Sequence, residues 1–174
     1  MIVVSDTSPI LNLIAVGKLH LLRDLYAEIV VPPAVQGELS RNAIQLDRSW
    51  IRVVAAQNQN EVAVLREQLD PGAEAIVVAA ELEADLLLAD EKRGRRIAID
   101  RGLEVTGLLG VLAEAKARGL ISRCQPVLDD MIRVAGFWIG DDLRSRYLQG
   151  LNEIDQVSDS FPTALSLVTD CDRL

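Results

Sequence analysis

Residues 1–10 read MIVVSDTSPI. A short apolar run over residues 2–5 meets Asp6, the hydroxyl pair Thr7-Ser8 and then Pro9. Beyond it Ile10, Leu13 and Ile14 follow the i, i+3, i+4 spacing of an amphipathic helix. The stretch predicts a buried strand running directly into a helix, with Ser8 as N-cap and Pro9 at the first helical position. Asp6 falls at the junction, and an acid there has two explanations. It either satisfies a turn or a helix end, or it stands at the carboxyl end of a parallel strand, where open α/β sheets collect their ligands. The ten residues permit both.

The pattern repeats along the chain. AEIVVPPAV at residues 27–35 predicts a strand over residues 28–31, broken by Pro32-Pro33 and followed by a helix that carries Val35, Glu38 and Leu39. Residues 41–60 read mostly as loop, with a strand at 51–55 and polar punctuation at QNQN. An Ala-rich helix over residues 73–84 precedes DLLLAD, a strand that again ends on an acid, Asp90. A basic helix over 91–101, a strand over 103–106 and a helix over 107–119 continue the alternation, and two more helices over 126–152 are joined near residues 136–140. Strand and helix alternate throughout, the signature of an α/β fold with a central parallel sheet. One domain is expected over residues 1–152, with a loosely attached C-terminal tail over 153–174.

Composition agrees with this class. Hydrophobic residues are 49% of the chain and aromatic residues 3%, so the core is built from Leu, Ile, Val and Ala, as helices packed on a buried parallel sheet require. The net charge of −8 argues against a broad basic surface for nucleic acid, while leaving room for a local patch or for metal-binding carboxylates. Cys124 and Cys171 form no C-x-x-C pattern, so neither a disulfide framework nor a thiolate metal site is expected. With no signal-peptide pattern and no apolar run of about 20 residues, the expectation is a cytoplasmic protein without a membrane span.

Asp6 and Asp90 both follow apolar strands and can approach one another across a parallel sheet. Glu38 and Glu74, on helices beside such strands, can complete a ring of carboxylates. Close carboxylates repel unless a hard cation neutralises them, and Mg²⁺ or Mn²⁺ takes such oxygen ligands. Each acid has an ordinary alternative: Asp6 as a cap, Asp90 as a cap for the helix beginning near Glu91, and Glu38 as a solvated helical residue.

The words VVSDTSPILNL, VPPAVQGEL, LLLADEKRGRRIA and VTGLLGVLAEAKARGLI occur in this order. Together they resemble the PIN-domain proteins, in particular the prokaryotic PIN-like group related to toxins of VapC type, over residues 2–140. The resemblance implies a three-layer fold with a central parallel sheet, a carboxylate pocket for Mg²⁺ or Mn²⁺ and hydrolysis of RNA phosphodiesters. Asp6, Glu38 and Asp90 match its acidic positions, and Ser8 and Asn12 match polar positions beside the first acid. Asp6 and Asp90 are the expected metal ligands. The fourth acid departs from the pattern, because relatives read Gly-Glu-x-x-Ala-Ile where this chain has Gly72-Ala73-Glu74-Ala75-Ile76. Glu74 lies two residues beyond the usual position, about 200° around a helix, and Asp70 is the substitute. An antitoxin partner and a homodimer with the substrate groove between subunits are further implications.

The remaining features are weaker. Lys92, Arg93, Arg95, Arg96 and Arg101 form the one dense basic segment, read either as phosphate contacts or as a solvated face paired with Glu91 or Asp100. His20 is the single histidine, which excludes a multi-histidine zinc site. Trp50 and Trp138 read as packing residues before they read as base-stacking ones. A metal-dependent ribonuclease is therefore the leading expectation, and a PIN-like module that binds RNA or protein without cleaving it is the alternative. A haloacid-dehalogenase-type phosphatase fits poorly, since Ser8 stands where that chemistry needs a second Asp.

Overall fold

The computed structural model describes residues 1–69 and 72–153. Strands β1 (Val3–Ser5), β2 (Ile29–Val31), β3 (Ile51–Val53), β4 (Leu86–Leu88) and β5 (Val105–Thr106) form a parallel sheet in the order β3-β2-β1-β4-β5. The register pairs Val3, Val4 and Ser5 with Leu86, Leu87 and Leu88, and Val4 with Val30. Successive strand residues point to opposite faces, and both faces are covered. Val3, Ile29, Val31 and Leu88 join one core, with α1 (Thr7–Ala15), α2 (His20–Tyr26) and α7 (Leu108–Ala117). Val4, Val30 and Leu87 join a second core, with α4 (Gln59–Arg66), α5 (Ala73–Glu81) and α6 (Lys92–Asp100). The result is the three-layer α/β architecture that the apolar strands predict. Among the described residues no helix is long and apolar enough to cross a membrane.

Helix α1 starts earlier than the sequence predicts. Its N-cap is Asp6, not Ser8: the Asp6 backbone is extended and its Oδ1 accepts from Thr7 N at 2.8 Å. Pro9 then sits at the third helical position, which it tolerates because the first four amides of a helix have no intrahelical acceptor. Helices α2 and α4 were not anticipated. Helix α4 begins inside the QNQN punctuation, where Asn58 Oδ1 accepts from Glu61 N at 3.1 Å and Asn58 Nδ2 donates to Glu61 Oε2 at 3.2 Å. This is an Asn N-cap, with the Glu61 carboxylate turned back onto the Asn58 side-chain amide.

Helix α3 (Pro33–Arg41) poses a capping problem, since its N-cap Pro32 has no side-chain acceptor and Pro33 has no N–H. Glu74, from the first turn of α5, solves it from outside: its Oε2 accepts from Ala34 N at 3.0 Å. A carboxylate is favoured there by the helix dipole as well.

The C-terminal helices are as expected. Helix α8 (Gln125–Asp130) continues through a π-turn over Met131–Ala135 and stops at Gly136, whose φ of 68° is left-handed, before α9 (Asp141–Gly150) begins. Glu153, the first residue of the expected tail, is fixed to the body; residues 154–174 lie outside the described residues. The Glu153 side chain is 2% exposed and accepts from Lys116 Nζ at 2.8 Å, Cys124 N at 2.6 Å and Gln125 N at 2.7 Å. Burial pushes its carboxyl upward, but Lys116 and the two amides outweigh this and hold it below its ordinary value.

Glu153→Ala should therefore lower stability by about 2–3 kcal/mol, the scale of lost hydrogen bonds to a charged group. Because the folded carboxyl titrates below its ordinary 4.5, wild type keeps its full advantage above that pH and loses it as the pH falls through the folded value. Urea melts of both proteins at neutral pH and near pH 3 check this. Equal midpoints at neutral pH would show that Glu153 anchors nothing.

Candidate active site

Strand order reverses beside β1: the chain moves from β1 to β2 and β3 on one side and returns to β4 and β5 on the other. Crevices at such switch points, beyond the carboxyl ends of the strands, are the usual ligand sites of open α/β sheets. Asp6 and Asp90 stand at this one. Asp6 N donates to Leu88 O at 2.9 Å, and Ala89 N donates to Thr106 O at 2.9 Å, so the backbone is still in sheet register where the acids leave it.

Each acid is held by one backbone amide and, among the described residues, has a second oxygen without a hydrogen-bond donor. Asp6 is 7% exposed; Thr7 N occupies its Oδ1, and its Oδ2 faces Gly72, where an added Cβ would come within 3.3 Å. Asp90 Oδ1 accepts from Leu108 N, in the first turn of α7, at 2.8 Å. Gly107 is required beside it, because a Cβ there would lie 2.6 Å from both Asp90 Oδ1 and Arg95 Nη1. Asp90 Oδ2 is out of solvent contact and has no hydrogen-bond partner. An orphaned carboxylate oxygen is costly in an apolar setting.

Electrostatics follow the crowding. Burial is the main reason that the Asp6 carboxyl titrates above its ordinary range; the Thr7 amide opposes it, and the charges of Glu38 and Glu91 add to it. Burial likewise pushes Asp90 up to about 6, against the Leu108 amide and Arg95, with Asp6 contributing in the same direction. The charge of Asp6 adds to the pressure on Asp90 to stay neutral, and burial supplies most of it.

Glu38 reaches the group from α3. Thr7 Oγ1 donates to its Oε2 at 2.7 Å, which ties the third acid to the residue beside the first. Glu74 behaves differently from the expected ring: besides capping α3 it lies 3.8 Å from Arg66 Nη2. Asp70 lies outside the described residues. The Asn12 amide folds back on its own helix and donates to Ser8 O at 2.9 Å. His20 is exposed, Trp50 is buried and Trp138 is 85% exposed.

Sequence reasoning missed Glu91 and Thr7. Glu91 lines the small cleft with Asp6, Gly72 and Gly94, yet it reads in the sequence as an ordinary acid at a helix start. Its side chain makes no cap hydrogen bond, so it is not serving that helix.

Among the described residues no three His, Cys, Asp or Glu side chains are grouped closely enough to hold a metal ion together. Two carboxylates nevertheless suit Mg²⁺, which is commonly bound through one or two of them and keeps several waters. The partnerless Asp90 Oδ2 and the cleft-facing Asp6 Oδ2 fit that requirement.

A three-layer α/β domain with paired carboxylates at its switch point is a nuclease-like fold. A family model described as a PIN domain matches residues 2–153, and the chain belongs to the PIN-domain family. PIN domains are in general nucleases and typically use divalent metals. No curated protein and no solved structure matched the chain.

Asp90→Asn should stabilise the metal-free protein. Between pH 3.8 and about 6 the folded state keeps a proton that the unfolded chain releases, so wild type loses stability as the pH rises through that window. Asn keeps the acceptor for Leu108 N and does not ionise. Its advantage should be on the order of 3 kcal/mol above the window and absent below it, read from urea melts in EDTA. A variant less stable than wild type at neutral pH would contradict the cost of burying the Asp90 charge.

Proposed function

We propose that this protein is a metal-dependent ribonuclease that hydrolyses RNA phosphodiester bonds with Mg²⁺ or Mn²⁺. One observation carries the reading: Asp6 and Asp90 leave adjacent strands at the switch point, and Asp90 Oδ2 is buried without a hydrogen-bond partner. Asp6 and Asp90 would hold the ion, whose chemistry is to acidify a bound water and to stabilise charge developing on the phosphate.

The chain's other residues act on that pair. Leu108 N and the missing side chain of Gly107 keep Asp90 in place, and Thr7 N and the β1 register do so for Asp6. Glu38, oriented by Thr7, is the carboxylate positioned to orient a water at the cleft. Glu74 contributes at one remove, by fixing the start of the helix that carries Glu38. The resemblance to VapC-type toxins supports an antitoxin partner and a homodimer as extensions of the same reading. The engagement of Glu74 with α3 and Arg66 favours one rival, a PIN-like module that binds RNA or protein without turnover.

Cleavage of a labelled RNA by the purified protein in Mg²⁺, Mn²⁺ and EDTA tests the proposal. Wild type should cut only with metal. Asp6→Asn should lose about 100-fold or more of the rate with a melting temperature no lower than that of wild type, because Asn caps a helix as well as Asp and does not ionise. Equal rates for the two proteins would leave Asp6 as a cap alone, and no metal-dependent cleavage by wild type would favour the binding module.

A further inference from the structure

In a chain of net charge −8, α6 places Lys92, Arg93, Arg95 and Arg96 in its first five positions. Cations are disfavoured at that end of a helix, where the dipole is positive. Helices α4, α5 and α9 obey the rule, with Glu61, Glu74 and Asp141-Asp142 in their first turns. Arg95 turns inward, its Nη1 3.4 Å from Ala89 O. Lys92, Arg93 and Arg96 are exposed, and among the described residues none of them forms an ion pair or a hydrogen bond. The same helix is followed by Arg101, which does pair, with Glu61 at 3.6 Å. Helix α6 begins two residues after Asp90, so its first turn follows directly on the acids; Gly94 turns in to the cleft, and Lys92, Arg93 and Arg96 share the exposed outer face. Glu91 at the N-cap is the one acid set against these four cations, and an excess of that size against the dipole points to function.

We propose that Lys92, Arg93 and Arg96 form a rail for the sugar-phosphate backbone of the RNA strand, holding phosphates next to the one in the Asp6–Asp90 cleft. The identity of the polyanion rests on the nuclease reading; the rail itself rests on the charge arrangement. Lys92 to Arg96 spans one helical turn, about 6 Å, the scale of two neighbouring phosphates on a strand. Such contacts fix the register of a strand without reading its bases. A protein partner fits less well, because interface anchors are mostly aromatic groups and Arg in packed pockets, and these three cations stand on an open helix face.

The test compares wild type with Lys92→Gln/Arg93→Gln/Arg96→Gln. Binding of a fluorescent single-stranded RNA is measured in EDTA, so that nothing is cut, over a series of salt concentrations. The variant should bind about 20- to 100-fold more weakly near 0.1 M salt, and its log K against log salt slope should be shallower by about 2. With Mn²⁺ its KM for cleavage should rise while kcat holds, and its melting temperature should be unchanged or higher, because cations leave the positive end of α6. Unchanged affinity and slope would overturn the rail, as would wild type binding a poly-glutamate peptide and not RNA. If wild type cleaves RNA and the variant keeps its KM, the rail fails and the nuclease stands. If RNA binding drops as described but wild type never cleaves, the nuclease fails and the rail stands.

Discussion

The pairing of β1 with β4 is the constraint on which this protein depends. It joins residues far apart in the chain, setting Val3 beside Leu86 and Ser5 beside Leu88. Every strand of the described sheet is two or three residues long, so few ladder hydrogen bonds hold it. The strands are kept together by the two apolar layers, each taking alternate side chains from the same strand. Because the pairing fixes both direction and register, it also delivers two acids to one place. Neither Asp6 nor Asp90 has independent freedom to move away from the other.

The crowding at that place has a logic of its own. A lone buried carboxylate gathers donors, as Glu153 does from Lys116 and two amides. Asp6 and Asp90 are given one backbone donor each, while Asp6 also bears the charges of Glu38 and Glu91, and Asp90 that of Asp6. Stability would improve if one of them became neutral, and a chain tuned only for folding would have no reason to keep both. The contrast with Glu153 separates an acid that holds the fold from acids that burden it.

The sheet and its two terminal acids were legible in the sequence because their signals are local. An apolar run closed by Asp marks a strand and its end within a few residues, at IVVSD and again at LLLAD. What escaped depends on contacts between distant segments. Glu74 read as a member of an acid ring, but Pro32-Pro33 leave the first amides of α3 without a cap, and α5 supplies one; nothing near Glu74 in the sequence announces that need. Glu91 was hidden by its neighbour, since an acid after Asp90 at a helix start is ordinary until its side chain is found in the cleft. The N-cap was misplaced by two residues because Pro9 pointed to Ser8, and only the bond from Thr7 N to Asp6 decides between them. The α4 N-cap was present as Asn58, but the amides before the helix are satisfied by distant Glu81, which accepts from Gln57 N and Asn58 N.

The anchoring of Asp90 by Leu108 N has a consequence for the order in which the protein is made. Asp6 leaves the ribosome well before its partner acid, which needs β4, then β5 beside it, and then the amide at the start of α7. Closing so long a loop comes late in folding, after local structure has formed. A nascent chain shorter than about Leu108 therefore contains the first acid and no site. Built this way, the protein anchors its second acid only after synthesis has reached the start of α7.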